Sequence, residues 1–183
     1  MSDVSEFPVP IDDEIGPAMV TELSRFPALN IQRYLALEPE CFDGWNRWLH
    51  GIYEMGLDPK LRELVICRIG SRAHSEYELF QHTAVARTVG VTDQELTAVL
   101  APGPVTSLSS EANLLCRVAD EMNAGGPLAD DTFAEFVAAY PTREAVQWML
   151  VVAHWAAVVR MLNGLRVPLE ARTPLGGEAS PLG

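Results

Sequence analysis

The chain has 183 residues, 48% of them hydrophobic, which is enough to bury the core of one domain but short of two ordinary domains. Its 25 acidic and 13 basic residues give a net charge of −12, which repels phosphate backbones and anionic membranes and excludes nucleic acid as an expected partner. No apolar run reaches the roughly 18 residues that a membrane helix needs, and the start MSDVSEFPVP lacks the basic and apolar regions of a secretory signal. We therefore expect a cytoplasmic protein that does not associate with membranes.

Turn-forming residues divide the chain into three parts. Residues 1–10 have little apolar pattern and are predicted to form an N-terminal arm, followed by one helical domain at residues 11–170. Residues 171–183 contain Thr-Pro, Gly-Gly and Ser-Pro pairs and are predicted to form a flexible tail.

Apolar residues at helical spacing predict the first helices of the domain. A short helix is expected around residues 31–35, and Gly56 ends a second, longer helix. Asp58 is a predicted N-cap, so that a third helix begins at Pro59 and runs to about Gly70. The apolar positions that define the second helix are Trp45, Trp48, Leu49, Ile52 and Tyr53.

Capping residues predict two more helices after this one. A helix is expected from about Ser75 to Gly90, where glycine suits the left-handed position after a helix end. Thr92 and Glu95 then have the spacing of a capping box, which predicts a short helix that ends before Pro102.

The last third of the chain is predicted to contain three helices. Two of them are expected around residues 108–122 and 133–139. The third is capped by Thr142, spans about residues 143–163 and ends at Gly164. It is apolar almost all round, so we expect a homo-oligomer to help to cover it. No segment shows sustained period-two alternation between hairpin turns, and the predicted class is all-α.

Three polar side chains lie inside otherwise apolar helical patterns: Glu63, Glu78 and His82. Glu78 and His82 are four residues apart, so on one helix the carboxylate could hold the imidazole in one tautomer. A tight hairpin between the two helices would return His82 to the vicinity of Glu63. Such a group suits proton transfer at a carbon next to a carbonyl. By spacing alone, however, a Glu and His pair of this kind is more often only a weak stabilising contact on a helix surface.

The stretch LDPKLRELVICRIGSRAHSEYELFQHTAVARTVGVTDQEL resembles the central part of the carboxymuconolactone decarboxylase and alkylhydroperoxidase D superfamily. The later segment VRMLNGLRVPLE is similar to the last helix and following turn of that family. The resemblance implies an alkylhydroperoxidase D-like helical bundle with a central helical hairpin. It also implies a small-molecule substrate and assembly into dimers, trimers or hexamers.

The peroxidase branch of this superfamily uses two cysteines in a C-x-x-C motif, with an upstream glutamate and a downstream histidine that relay protons. The glutamate corresponds to Glu63 and the histidine to His82, but the cysteine positions hold Ser75 and Glu78. A disulfide cycle needs two thiols within reach. The sequence therefore looks more like the decarboxylase branch and implies a lyase or isomerase without metal or organic cofactor. In this interpretation His82 is the general acid/base, Glu78 orients it, and Glu63 is a second proton-transfer group. The expected substrate is a small unsaturated carboxylate or lactone.

Six further residues are candidate substrate contacts. Arg68 could bind a substrate carboxylate or pair with an acid, and His154 lies within the apolar last helix, where a core or interface position is the alternative. The other four are Ser75, Tyr77, Trp45 and Trp48, and aromatic residues at such spacing are more often core. His74, Glu78 and His82 share a helical spacing, but we expect no metal site there.

Two other functions stay open from the sequence. Cys67 lies four residues after Glu63, which allows a peroxidase that uses a single cysteine. An oligomeric binding protein that has lost catalysis is the other alternative. Cys41, Cys67 and Cys116 are odd in number and lie in apolar patterns, which predicts buried free thiols.

Overall fold

The computed structural model describes residues 7–175, which form ten helices and no strand. The all-α prediction is confirmed. Two short N-terminal helices at residues 12–23 were not predicted. The helices are α1 Asp12–Ile15, α2 Pro17–Leu23, α3 Asn30–Leu35, α4 Pro39–Tyr53, α5 Pro59–Arg72, α6 Glu76–Thr88, α7 Asp93–Leu100, α8 Ser110–Asn123, α9 Asp130–Ala139 and α10 Thr142–Leu165.

Helices α5 and α6 form the predicted central hairpin. The Asp58 side chain accepts a hydrogen bond from the Leu61 amide, which fixes the start of α5 as expected. The turn between the helices contains His74 in the left-handed conformation, with φ of 52°. The two helices then pack closely at Gly70, where a Cβ atom would lie only 3.1 Å from Cδ2 of Leu79. A side chain at position 70 would push the helices apart.

Helix α5 is the centre of the core and is buried on all sides from Arg62 to Gly70. Val65, Ile66 and Ile69 pack against residues of α8 and α10, such as Leu115 and Val152. Burial of each of these aliphatic side chains contributes about 1.5–3 kcal/mol. Because this part of α5 is surrounded in this way, any charged residue between Arg62 and Gly70 is also buried and needs a partner.

Helix α10 is long and apolar enough to span a membrane by length and composition alone. This differs from the prediction that no apolar run is long enough for a membrane helix. Trp148, Val152 and Val159 lie in the core, so the apolar composition reflects packing within the domain. The predicted ends were wrong. Pro141, not Thr142, is the N-cap, and Gly164 stays helical while Arg166 takes the left-handed conformation with φ of 48°.

Both ends of the described chain pack onto the domain. The carbonyl of Phe7 accepts a hydrogen bond from the Tyr34 hydroxyl at 2.7 Å, within the predicted N-terminal arm. At the other end, Thr173 donates to the side chain of Gln81, so residues 171–175 are not the free tail that was predicted. The rest of both predicted segments lies outside the described residues.

Candidate functional site

The hairpin of α5 and α6 brings Glu63 and His82 into direct contact. Oε2 of Glu63 lies 2.7 Å from Nδ1 of His82, which is the length of a charge-assisted hydrogen bond. The Glu63 side chain is fully buried, and His82 is 9% exposed. Because a buried carboxylate accepts from Nδ1–H, the contact leaves Nε2 of His82 as the atom available for chemistry.

Glu78 and Trp155 approach the other side of the same imidazole ring. Oε1 of Glu78 is 3.2 Å from Nε2 of His82, within ion-pair distance but without hydrogen-bond geometry. The indole Nε1 of Trp155 lies 3.4 Å from the same nitrogen and can donate to it when the imidazole is neutral. Thus Nε2 lies between a carboxyl group and an N–H donor.

Burial and charge alter the proton affinities of this group in a coupled way. Burial works to lower the pKa of His82, but the carboxylates of Glu78 and Glu63 outweigh it and raise the pKa to about 8. Burial also raises the pKa of Glu78, against the opposing effect of the His82 charge. The pKa values of both groups are therefore raised, and their titrations are coupled because their charges interact.

A cavity of about 100 Å³ opens beside Glu78 and His82. Aromatic and aliphatic side chains form most of its wall, and a few polar groups converge on it, as is usual for a small-molecule site. Its lining includes Phe26, Ile31, Gln32, Trp45, Asn46, Leu49, Tyr53, Tyr77, Glu78, Gln81, His82, His154, Trp155, Val158 and Leu175.

The structure places three of the six predicted substrate contacts at this cavity: Tyr77, Trp45 and His154. The His154 ring lies between Trp45 and Trp155, with ring centroids 4.9 and 4.8 Å apart. Burial and the positive charge of His82 lower the pKa of His154 to about 4, so it is neutral at pH 7.

Trp48 and Ser75 do not line the cavity. Trp48 is 47% exposed, because α4 turns Trp45 inward and Trp48 outward. Ser75 is the fully buried N-cap of α6, beneath the hairpin, and its Oγ has no hydrogen-bond partner among the described residues. The prediction that these two residues contact substrate is corrected accordingly.

Arg68 also lies away from the cavity, on the α8 side of α5. Its Nε and Nη2 donate to the two carboxylate oxygens of Asp120, both at 2.7 Å. The remaining donors reach the backbone carbonyls of Val99, Ala101 and Gly103. Of the two alternatives for Arg68, pairing with an acid is the correct one. A contact with a substrate carboxylate is excluded because all its donors are used.

The positions of Glu63 and Glu78 do not match the roles that were predicted for them. Glu63 lies behind His82 and does not line the cavity, whereas Glu78 does. Arg62, which the sequence analysis did not select, lies with its Nε 3.6 Å from Oε1 of Glu63 and its guanidinium 4.2 Å from the centre of the Tyr53 ring. Glu63 is therefore the residue that orients His82, and Glu78 is the carboxyl group that faces the cavity.

Glu170 does not line the cavity, but it bonds to residues that do, and it was also missed. Its Oε1 accepts hydrogen bonds from the Tyr77 hydroxyl and the Asn30 amide, and its Oε2 accepts from Gln81. The sequence contained one signal for it, a single acidic residue in the turn after the last helix, within the segment VRMLNGLRVPLE. These contacts hold residues 167–175 against α3 and α6.

The three cysteines are free, but only two of them are buried as predicted. Cys67 and Cys116 pack among apolar residues such as Leu64 and Ala86, away from the cavity. Burial raises the pKa of both thiols, to about 12 for Cys116 and further for Cys67. Cys41 is exposed on α4, which corrects the prediction for that residue.

Within residues 7–175, no three His, Cys, Asp or Glu side chains are grouped closely enough to hold a metal ion. His74 is exposed in the hairpin turn, whereas Glu78 and His82 point into the domain. The shared helical spacing of these three residues therefore does not bring them together.

Comparison with solved structures supports the helical fold. A peroxidase-related protein from Silicibacter sp. TM1040 superposes with a TM-score of 0.73 at 16% identity, covering 90% of each chain. A protein of unknown function from Agrobacterium tumefaciens, with a suggested identity as antioxidant defence protein AhpD, gives a TM-score of 0.68 at 16% identity. That match covers 76% of this chain and 97% of the other. At this level of identity the likeness concerns the fold, and the predicted alkylhydroperoxidase D-like bundle is confirmed.

Comparison of sequences gives a more specific result. No curated protein matches the chain significantly. The sequence model of the carboxymuconolactone decarboxylase family matches residues 39–121, a range that contains Glu63, Glu78 and His82. This match over residues 39–121 agrees with the family resemblance that the sequence predicted.

Proposed function

We propose that the protein is a cofactor-free lyase or isomerase that moves a proton at a carbon next to a carbonyl group of a small molecule. The observation that carries the proposal is the arrangement around His82: Glu63 holds Nδ1 at 2.7 Å, and Glu78 lies 3.2 Å from Nε2 at the wall of the cavity. A carboxyl group and an imidazole that lie side by side at a cavity, both with raised pKa values, are suited to general acid–base catalysis.

The proposed reaction begins with Glu78 as carboxylate and His82 as imidazolium. Glu78 accepts the proton from the substrate carbon as the C–H bond breaks, and the electron pair moves onto the carbonyl oxygen. The Nε2–H of His82 donates a hydrogen bond to this developing oxyanion, while Glu63 stabilises the imidazolium through Nδ1. Glu78 then returns the proton to a different carbon in an isomerisation. In a lyase reaction the electron pair instead expels a leaving group.

Two observations weigh against the alternative of a single-cysteine peroxidase. Cys67 is fully buried in an apolar cluster, and it does not line the cavity that contains His82. Burial and the nearby carboxylates of Glu63 and Glu78 raise the pKa of its thiol, which disfavours the thiolate that attacks a peroxide.

Proton abstraction can be tested without knowledge of the natural substrate. A panel of small ketones, lactones and unsaturated carbonyl compounds is incubated in D₂O with the protein, and loss of the α-proton signals is followed by NMR. We expect exchange with at least one compound, and a decrease of about 10²–10³-fold in His82→Gln, the range that loss of one donor to an oxyanion causes. The exchange rate of Glu63→Gln should lie between those of wild type and His82→Gln, because Nε2 of His82 stays in place.

Cys67→Ser is the matched control, and its exchange rate should equal that of the wild type. If it loses exchange, or if it alone loses thiol-dependent peroxide turnover, the cysteine mechanism replaces the proposed one. Equal rates in wild type and His82→Gln would remove His82 from the mechanism. If the wild type catalyses no exchange and releases a ligand unchanged on denaturation, a binding protein without catalysis would be the correct interpretation.

A further inference from the structure

We propose that the cavity selects uncharged carbonyl compounds that carry a hydrogen-bond donor, such as a hydroxyl or amide N–H, and rejects carboxylates. The inference rests on the proposed function for its use in catalysis, but it concerns binding and can be tested separately. It narrows the expected substrate, because a lactone or hydroxyketone satisfies it and an unsaturated carboxylate does not.

The described lining of the cavity contains no lysine or arginine. The two nearest arginines have other partners. Arg62 lies against Glu63 and the Tyr53 ring, and Arg68 uses its donors on Asp120 and three backbone carbonyls. Because binding sites for carboxylates normally present arginine or another cation, this lining is unsuited to an anionic ligand.

The charges behind the wall give no positive excess either. The carboxylate of Glu78 lies 3.2 Å from Nε2 of His82 and offsets the charge of the imidazolium. The carboxylate of Glu63 is balanced by Arg62, with 3.6 Å between Oε1 and Nε. His154 is the other imidazole at the cavity, and it is neutral at pH 7. A carboxylate that enters would lose its hydration without gaining a counter-charge.

Two oxygen atoms of residues in the wall are acceptors without a hydrogen-bond partner among the described residues. Nδ2 of Asn46 donates to the Phe42 carbonyl at 2.9 Å, so Oδ1 of Asn46 is left to accept from Nε2 of Gln32 at 3.3 Å. This chain of contacts leaves Oε1 of Gln32 buried without a hydrogen-bond partner among the described residues, and the same holds for Oε1 of Glu78.

Both of these residues line the cavity, and Gln32 is only 5% exposed. A carboxylate presents acceptors alone and cannot satisfy either oxygen, whereas a hydroxyl or amide N–H can. The lack of partners for two buried oxygens is therefore explained by a ligand that donates to them.

The inference also restricts the reactions that the proposed function allows. Decarboxylation requires a substrate carboxylate in the cavity, whereas isomerisation of a neutral compound breaks one C–H bond and forms another, with no atom lost. The charge of the cavity disfavours decarboxylation and leaves isomerisation, or elimination from a neutral compound.

Three ligands of six non-hydrogen atoms test the inference, since they differ only in the group beside the carbonyl: butyramide, 2-pentanone and butyrate. Their size suits a cavity of about 100 Å³. Binding is measured at pH 7 by calorimetry and by the fluorescence of Trp45 and Trp155. We expect butyramide to bind most tightly, 2-pentanone less tightly, and butyrate at least about tenfold more weakly than butyramide. Tighter binding of butyrate, equal binding of all three, or no binding of butyramide would overturn the inference.

A change of charge in the wall should invert this preference. In Gln32→Lys the ratio of butyrate to butyramide affinity should rise at least about tenfold. Gln94→Lys is the matched control, because it adds the same charge on the exposed face of α7, outside the cavity lining. Equal shifts in the two variants would show a general charge effect and overturn the inference.

Glu78→Gln provides a second variant if Gln32→Lys does not fold, as judged by circular dichroism. Loss of the carboxyl group should improve butyrate binding several-fold relative to butyramide, and an unchanged ratio would contradict the inference. The outcomes are separable from those of the exchange experiment. Exchange that prefers carboxylates refutes the inference alone, and donor-selective binding without exchange refutes the proposed function alone.

Discussion

Two of the buried charged residues of helix α5, Arg68 and Glu63, differ in how well their neighbours satisfy them. Arg68 uses all its N–H groups, two on the carboxylate of Asp120 and the others on the carbonyls of Val99, Ala101 and Gly103. Less than two turns earlier on the helix, Glu63 makes one hydrogen bond to His82 and leaves its Oε1 without a hydrogen-bond partner among the described residues.

Two neighbours of Glu63 also have buried polar atoms that lack hydrogen bonds. Oε1 of Glu78 and Nε of Arg62 are also buried without hydrogen bonds in the part of the chain that the structure describes. Unsatisfied buried polar groups cost stability, so their concentration around one imidazole needs an explanation beyond folding. We infer that the Arg68 cluster holds α5 against the α7–α8 connection, whereas the His82 cluster is adapted to a ligand.

The largest expected effect on stability is at Arg68. Arg68→Met removes the charge, leaves three carbonyls without this donor and leaves Asp120 with only Arg72 at 3.6 Å, which should lower the free energy of unfolding by about 3–5 kcal/mol. Activity per folded molecule should change little, because Arg68 does not line the cavity. Thermal melting and proton exchange at low temperature measure the two effects. The free energy of unfolding of Arg68→Lys should lie between those of wild type and Arg68→Met. A variant of Arg68 that melts like the wild type but has lost proton exchange would contradict the structural role assigned to Arg68.

The next effect concerns pH and His154. Since the pKa of His154 falls to about 4 in the folded protein from 6.5, its contribution to stability is present above pH 6.5 and is lost as the pH falls through about 4. The loss is up to about 3 kcal/mol. His154→Phe keeps an aromatic ring between Trp45 and Trp155 and should reduce the decrease in stability between pH 6.5 and 4 in urea unfolding.

His50→Phe on the exposed surface of α4 is the matched control, and it should retain the pH dependence of the wild type. A decrease in stability of equal size in wild type and His154→Phe would show that protonation of His154 is not disfavoured in the folded state.

The smallest expected effect is a gain of stability at Glu78. Burial raises the pKa of this carboxyl, so its contribution to stability is present below the pKa of the unfolded chain and is lost as the pH rises through the folded value. Glu78→Gln has no such loss, so it should unfold at a higher urea concentration than the wild type at pH 8. Its free energy of unfolding should be larger by on the order of 1 kcal/mol. Lower stability in this variant would show that the His82 cluster is structural like that of Arg68.

Local capping signals and one resemblance allowed much of this fold to be predicted. The N-cap at Asp58 and the capping box at Thr92 have the predicted hydrogen bonds, because these depend on residues only three positions apart. The ends of α10 were predicted less well. The left-handed residue is Arg166, although glycine is favoured there, and the Val167 amide bonds back to the Leu162 carbonyl in that geometry.

Glu63 and His82 could be selected from the sequence as residues, but their separate roles could not. Spacing of four residues pointed to Glu78 as the group that orients His82, whereas the packing of α5 against α6 places Glu63 on Nδ1. Arg68 could not be assigned because its acid, Asp120, is 52 residues away. Contacts across helices of this kind depend on tertiary packing, which a single sequence does not specify.

The position of Glu170 has a consequence for how the domain is assembled during synthesis. Its carboxylate joins Asn30, Tyr77 and Gln81, which leave the ribosome long before it does. The helical hairpin can therefore form around Glu63 and His82 while the part of the wall that Leu175 completes, in the segment held by Glu170, is still absent. The nascent chain would have the proposed catalytic side chains in place before it has a closed cavity to hold a ligand.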